Sequence, residues 1–193
     1  MSDLFVDNIK HQSSQGSGTI TLGASGETIS VPTGASLTVP NGGLSGQNYP
    51  AFEAFLNANQ SISDATATKV QFNSKRFDTD TCYDNSTNYR FTPTVAGRYY
   101  LYSNVVFQLD DYQIYQAAIY FYKNGSNYCS FSTVDGAGST YAVPISTSAI
   151  IDMNGTTDYI EVFGYIARHS SAGNRFATEF GGTYFGAFRI GLV

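Results

Sequence analysis

The sequence predicts an all-β protein, with an antiparallel sandwich in its C-terminal part. Two features of the composition favour strands. Aromatic residues make up 15% of the 193 residues, as 15 Tyr and 14 Phe, whereas charged residues make up only 13%. Tyr and Phe suit the pleated, half-buried surface of a sheet. The third observation is periodic: apolar and polar side chains alternate along several segments, which is the period of a strand with one buried face.

Charge and composition exclude several functions. The formal net charge is −5, which argues against nucleic acid and against an anionic membrane, since both attract clustered Lys and Arg. No apolar run approaches the roughly 18 residues of a membrane span, so we expect no membrane insertion. Residues 1–7 lack the basic and apolar regions of a secretory signal. We therefore expect the protein to stay in the compartment that makes it, or to leave inside a larger particle.

The first segment, residues 1–14, has one short apolar alternation over residues 4–9, followed by polar residues. Two interpretations are open at this point. The segment is a frayed terminus, as chain ends often are, or it is a strand that docks on a partner and attaches the protein to it.

The second segment, residues 15–46, repeats one motif three times, at residues 19–22, 28–31 and 36–39. Each copy alternates hydroxyl and aliphatic side chains, and Gly, Pro and Asn separate the copies. Strands of four residues do not fold alone, but stacked repeats bury a continuous core. Three chains together would supply nine strands, which predicts a trimeric stalk. The alternative is a flexible linker, which would not need aliphatic residues. The side chains expected at the trimer axis are Ile20, Leu22, Ile29, Val31, Leu37 and Val39.

The third segment, residues 47–193, is the predicted sandwich, and it forms the head of the protein. Strands are expected over residues 98–109, 114–123, 141–151, 158–167 and 184–192, with turns at Asn124-Gly125 and Asn154-Gly155. Only residues 50–59 could pass for a helix. Several strands carry Tyr or Phe on both faces, although one face of such a sheet in a monomer should be polar. This doubling predicts a subunit interface, to which we assign Phe52, Phe91 and Phe188.

Short motifs in the head, in order and spacing, resemble the globular domain of complement C1q, within the tumour-necrosis-factor-like (TNF-like) jelly rolls. The motifs are AFEA (51–54), VQFN (70–73), YDN (83–85), YRFTP (89–93), GRYYL (97–101), KNG (123–125) and YFGAF (184–188). The match is weak over residues 126–150, and residues 154–158 depart from the family pattern. The resemblance implies a homotrimeric jelly-roll head.

The N-terminal part resembles the stalk openings of phage fibre and appendage proteins, through residues 4–9, 22–29 and 31–35. A stalk of this kind joined to a complement-like head is similar to phage structural proteins. The resemblance implies a protein made in the host cytoplasm and placed in the virion. Its N-terminus would attach to other virion proteins, and its head would project outward.

Catalysis finds little support in the sequence. His11 and His169 are the only histidines, and the nucleophile elbow Gly-x-Ser-x-Gly is absent. The pairs Asp110-Asp111 and Asp78/Asp80 are conceivable acids for glycoside cleavage, but adjacent acids in a turn are normally solvated. We therefore expect no enzyme, with a polysaccharide-acting enzyme as the lesser alternative.

A calcium site is a further hypothesis, because Asp78, Asp80 and Asp84 lie close in sequence and carboxylate oxygens suit this ion. Carboxylates facing water are the alternative, and no other cofactor is expected. Cys82 and Cys129 are too few for a disulfide framework, and whether they pair is left open.

Recognition is the function that remains, and the resemblance suggests where it occurs. If the strands run as in the C1q-like family, residues 168–183, 124–139 and 93–97 lie at the apex of the head, and residues 110–113 and 152–157 lie at its base. The sequence thus predicts a trimeric phage fibre or appendage whose head binds a glycan or protein receptor on the host. The alternative is a capsid decoration or head fibre without a receptor. The residues proposed to bind the receptor are Asn127, Tyr128, Asp135, Arg168, His169, Asn174 and Arg175.

Overall fold

The computed structural model describes residues 31, 33–34, 50–110, 114–134, 141–168, 173–179 and 182–191. The chain divides into two units, Met1–Leu44 and Ser45–Val193, and every strand described here belongs to the second. The attachment segment at residues 1–14 and nearly all of the predicted stalk lie outside the described residues, so both stay predictions.

Within the described residues the head is all-β, as predicted, and every strand pairing is antiparallel. The strands are β1 (Ala51–Phe55), β2 (Gln60–Ile62), β3 (Thr68–Lys69), β4 (Ser74–Asp78), β5 (Tyr83–Asp84), β6 (Arg90–Phe91), β7 (Gly97–Leu109), β8 (Ile114–Lys123), β9 (Ser126–Val134), β10 (Ala142–Met153), β11 (Ile160–Arg168), β12 (Asn174–Ala177) and β13 (Tyr184–Gly191). Residues 50–59 contain β1 rather than a helix, because the alternation AFEAF buries Phe52 and Ala54 on one face.

The strands form two sheets. In the first sheet β7 is central: β10 pairs along one edge, and β13 and then β12 pair along the other. Beyond β13 lie β1 and β4, and beyond β12 lies β2. The second sheet has the order β5, β6, β11, β8, β9, with β3 also paired to β11. The two sheets pack face to face, and their inward side chains make one core.

Aromatic rings dominate the core between the sheets. Phe52 stacks on Tyr83 and Phe91, with ring centroids 4.7 and 4.9 Å apart, and meets Phe185 edge-on at 5.0 Å. Phe52 and Phe91 have no exposed surface. Their assignment to the trimer interface is therefore wrong, because a side chain without exposed area has none to place against a second chain.

The sandwich has two ends, which the strand registers identify. At one end, which we call the terminal end because β1 begins there and β13 ends there, Ala51 lies opposite Phe188 and Met153 lies opposite Gly97. At the opposite end, which we call the far end, Asn174 lies opposite Leu109 and Ile114 lies opposite Arg168.

Some of the predicted loop positions are confirmed by these registers and others are wrong. Arg168 and Asn174, from the predicted apical loop, are at the far end, and residues 152–157 are at the terminal end, both as predicted. The turn at Asn124-Gly125 and residues 93–97 are at the terminal end, and Asp110 is at the far end, opposite to prediction.

Candidate functional site

Three of the proposed receptor-binding residues meet at the far end. Arg168 is the last residue of β11, and its Nη1 donates to Oδ1 of Asn174, the first residue of β12, at 3.1 Å. The Nε of Arg168 lies 3.6 Å from Oδ1 of Asp64, which also accepts the backbone N–H of Arg168 at 3.2 Å. Asn174 is buried. These groups tie the ends of two strands to the loop that contains Asp64.

The next residue, Arg175, joins a second network. Its Nε donates to Oε1 of Gln108 at 2.8 Å, and its Nη1 contacts the carboxylate of Asp110. The Nε2 of the fully buried Gln108 donates to Glu179 at 3.0 Å. The hydrogen bond to Asp110 raises the pKa of Arg175. Because its donors already have protein partners, this arginine holds the far end together, and its role in receptor binding stays a prediction.

Asn127 and Tyr128 do not join this cluster. Both lie in β9, directly after the turn at Asn124-Gly125, and so near the terminal end. Tyr128 is exposed, and its hydroxyl donates to the carbonyl of Ile150 at 3.0 Å. Asp135 and His169 lie outside the described residues. The proposed receptor set is thus divided between opposite ends of the sandwich.

The carboxylate of Asp78, one of the three proposed calcium ligands, is occupied by protein donors. It accepts the backbone N–H groups of Cys82 at 2.9 Å and Tyr83 at 3.3 Å, and Nζ of Lys75 at 3.0 Å. Burial raises the pKa of Asp78, but the bonds from Lys75 and Cys82 outweigh it, and the net pKa is lowered.

The other two proposed calcium ligands, Asp80 and Asp84, also accept hydrogen bonds from protein groups. Asp80 accepts the hydroxyl of Thr94. Asp84 accepts the N–H groups of Ser86 and Thr87, each at 3.0 Å, and these and further backbone donors hold its pKa well below the usual range. Among the residues that the structure describes, no three acidic, His or Cys side chains are grouped to hold a metal ion. The calcium hypothesis is therefore wrong for this set, whose oxygens serve to fix loops.

The two cysteines are free thiols. Cys82 is buried, and its Sγ donates to Asp78 at 3.3 Å. Burial raises the pKa of Cys82, and the nearby Asp78 charge raises it further. A thiol in this state is a poor nucleophile. Cys129 is half-buried on β9, where burial likewise raises its pKa.

Of the residues assigned to the trimer interface, Phe188 lies where a second chain can reach it. It is half-buried on the outward side of the first sheet, and its ring centroid is 5.5 Å from that of Tyr100. Val31 is also exposed. Ile20, Leu22, Ile29, Leu37 and Val39 lie outside the described residues.

Around Phe188 the outward side of the first sheet forms an aromatic surface, which we call the first-sheet face: Tyr100, Tyr102, Ile150, Tyr184 and Phe188. Its four rings are half-buried, and Ile150 is 53% exposed. Tyr100 contacts Tyr102, and Tyr102 contacts Tyr184, with centroids 6.3 Å apart in each case. The sequence carried a signal for this surface in the doubled aromatics of residues 98–109, but it did not identify these tyrosines.

Two details show how the first-sheet face is built. A Cβ on Gly186 would lie 2.3 Å from Cζ of Tyr102, so the glycine lets this ring lie close over β13. The hydroxyl of Tyr102 donates to Glu53 at 2.8 Å, and Glu53 also pairs with Arg76. Between Tyr100, Tyr102 and Tyr184 and the small residues of β10 there is a cavity of about 410 Å³.

Comparison with known proteins supports the fold. Neither a protein-family model nor a curated protein matches the chain. Among solved structures, the globular domain of zebrafish complement 1qA is 18% identical, covers 75% of this chain and 99% of its own, and has a TM-score of 0.52. Murine APRIL at pH 5.0 is 13% identical, with coverage of 73% and 98% and a TM-score of 0.53.

A second structure of murine APRIL, at pH 8.5, is 16% identical, with the same coverage and a TM-score of 0.51. The head therefore has the C1q/TNF-like jelly-roll fold, as predicted, and at these identities the likeness shows the fold alone. Among the described residues there is no helix that could cross a membrane.

Proposed function

We propose that the chain is a structural protein of a phage virion, the subunit of a homotrimeric fibre or appendage. Its N-terminus attaches to other virion proteins, and its head binds a receptor on the host surface. The stalk motifs and the C1q/TNF-like fold of the head support this proposal. The observation that carries it is the first-sheet face, because an aromatic outward surface fits assembly with further copies of the chain.

The first-sheet face is more apolar than the outer surface of a monomeric sandwich. One face of an antiparallel sheet usually meets water and is polar, whereas here β7 and β13 present four aromatic rings. Ile150, the aliphatic member of this face, is 53% exposed, and Phe77 on β4, which is 46% exposed, extends the surface further. Apolar patches of this kind mark protein interfaces, and tyrosine is enriched at their centres.

A trimer has a simple test in its mass. Light scattering is expected to give three times the 20.9 kDa chain mass, because the first-sheet face and the stalk repeats are buried between chains. Phe188→Asp is expected to shift the mass to that of a monomer with unchanged far-ultraviolet circular dichroism, since an unpaired charge at an interface core is costly.

The matched control is Ser132→Asp, which adds the same charge to an exposed position of β9 in the second sheet. This variant should remain trimeric. A wild-type protein that runs at 20.9 kDa at micromolar concentration would remove the basis of the proposal.

Attachment through the N-terminus is tested on the particle. Removing residues 1–14 is expected to leave the trimer intact and to abolish its incorporation into virions, because the remaining chain retains the surfaces proposed to hold the trimer. Electron micrographs of antibody-labelled particles give the readout and show where on the virion the protein sits. Normal incorporation of the shortened chain would contradict the attachment role.

A further inference from the structure

The outward side of the second sheet carries a second group of aromatic rings, which we call the aromatic row: Tyr120, Tyr122, Phe163 and Tyr165. They lie on β8 and β11, adjacent strands in the middle of this sheet. The register pairs Phe163 with Tyr120 directly, and places Tyr165 opposite Ala118. All four rings are half-buried. The row is therefore a continuous surface across two strands.

The rings of the row support one another. Tyr122 stacks on Phe163, with centroids 4.3 Å apart and an angle of 23° between the ring planes, and Tyr120 meets Tyr122 edge-on at 6.2 Å. Lys69 places its Nζ 6.0 Å from the centre of the Phe163 ring. Such contacts fix the side chains before any ligand arrives, which lowers the entropy lost on binding.

The polar groups of the row itself are uncharged hydroxyls. The row carries three hydroxyls, those of Tyr120, Tyr122 and Tyr165. Burial and the neighbouring Tyr122 and Tyr165 raise the pKa of Tyr120, so its hydroxyl remains a donor at neutral pH. The exposed hydroxyl residues Ser130 and Ser132 lie opposite Tyr120 and Ala118 on the neighbouring strand.

Two charged groups at the edge of the row bind each other. Lys69, on β3, forms an ion pair with Glu161, which is on β11 and nearly buried. The pair cancels its own charge, so this part of the surface offers aromatic area and uncharged hydroxyls without a net field. An anionic ligand would find no free cation in the pair, and a purely apolar partner would leave the tyrosine hydroxyls without water or protein, which is unfavourable.

We propose that the aromatic row binds a neutral saccharide, and this inference rests on the proposed receptor-binding function of the head. The uncharged surface complements an uncharged, polyhydroxylated ligand. The C–H groups of a sugar ring pack on the aromatic rings, while its hydroxyls exchange hydrogen bonds with the tyrosine and serine hydroxyls. The proposal places the receptor site on the flank of the sandwich, away from the loops at the far end.

The first experiment probes the intact trimer with an array of neutral hexose oligosaccharides, and the strongest binder is then titrated by calorimetry. The double variant Tyr120→Ser/Tyr165→Ser is expected to weaken binding by roughly tenfold or more, as for central aromatic contacts of an interface. The variant Tyr120→Phe/Tyr165→Phe keeps the rings, and so the fold, while it removes two hydroxyls. It is expected to bind more weakly than wild type and more tightly than the serine variant. Light scattering confirms that each variant remains trimeric.

Two controls separate this site from its alternatives. Tyr128→Ser changes an exposed tyrosine of the same sheet outside the row and should leave affinity unchanged. Arg168→Gln changes the group of Arg168, Asn174 and Asp64 at the far end, and it should also leave the affinity for the saccharide unchanged. Loss of binding in Arg168→Gln, with full binding in the row variants, would overturn the assignment to the row.

The failure of this inference can be distinguished from failure of the proposed function. A trimer that binds host cells but no neutral saccharide would overturn the saccharide proposal and leave the receptor function standing, with a protein or charged glycan as the ligand. A trimer that binds neither saccharide nor host cells would overturn both.

Discussion

Phe52→Asp is expected to abolish folding of the head. Phe52 has no exposed surface, and its ring contacts Tyr83, Phe91 and Phe185 between the two sheets. Truncating a buried Phe to Ala costs about 3–5 kcal/mol through lost burial and the cavity left behind. A carboxylate at this place adds the cost of an unpaired buried charge, which is several kcal/mol. The sum approaches or exceeds the roughly 5–15 kcal/mol by which a typical domain is stable.

Circular dichroism and thermal unfolding measure the loss of folding, and two further variants serve as comparisons. Phe52→Ala should fold with a melting temperature well below that of wild type. Phe131→Asp, at a phenylalanine of β9 that is 53% exposed, should keep the fold. A folded, heat-stable Phe52→Asp protein that runs as a monomer would restore Phe52 to the trimer interface, and the core described here would be incorrect.

The long strands of the head could be predicted from the sequence because their alternation is strong. Residues 114–123 are β8 as expected, and residues 98–109 differ from β7 by one residue. Among the strands of eight residues or more, β9 alone is not predicted from the sequence, and none of the short strands β1 to β6 and β12 is predicted either. The sequence of β9, SNYCSFSTV, places Ser and Asn where the other strands have Tyr or Leu, so the alternation is weak.

The missed long strand, β9, explains the misplaced loops. Each long strand crosses the sandwich once, so overlooking β9 reverses the direction assigned to every strand before it. Residues 93–97 and the turn at Asn124-Gly125 were therefore assigned to the wrong end, and so was Asp110. Positions after β9, such as Arg168 at the end of β11, are at the predicted end.

The interface residues show a second limit of sequence patterns. Alternation says which residues of a strand share a face, but the register between strands decides which faces coincide. Phe52 lies opposite Ala187 and points into the core, whereas Phe188 lies opposite Ala51 and points outward. The sequence pattern assigns Phe52 and Phe188 to the same trimer interface. Only the register between β1 and β13 shows that the two side chains lie on opposite faces of the sheet.

The acidic cluster shows a third limit. A loop aspartate that binds backbone N–H groups and one that binds calcium have similar sequence surroundings, because both need turns rich in Asp, Asn and Ser. Asp84 is followed by Asn85, Ser86 and Thr87, and its carboxylate accepts the N–H groups of that turn. The difference lies in the direction of the side chains, which spacing does not encode.

Gly155→Ala is expected to destabilise the head by about 3 kcal/mol or more. Gly155 lies between β10 and β11 with φ +69°, and a Cβ there would lie 2.2 Å from the backbone N of Ala96 and 2.6 Å from the carbonyl carbon of Val95. The left-handed conformation costs a residue with a side chain about 1–2 kcal/mol, and forced overpacking costs about 1–3 kcal/mol more. The turn that contains Gly155 cannot move away easily, because Asn154 Oδ1 accepts the N–H groups of the three residues after Gly155 at 2.9–3.0 Å. On the other side, the hydroxyl of Tyr99 donates to the carbonyl of Val95 at 2.7 Å.

Gly125→Ala is the matched control for this effect. Gly125 also has a positive φ, +80°, but the nearest atom to an added Cβ is the hydroxyl oxygen of Tyr159 at 3.6 Å, an ordinary contact. This variant should show the conformational cost alone, about 1–2 kcal/mol. The difference between the two variants in chemical denaturation thus measures the close approach of residues 95–96 to the β10–β11 turn. Equal losses would mean that the turns at the terminal end can separate freely, and that their contact does not stabilise the head.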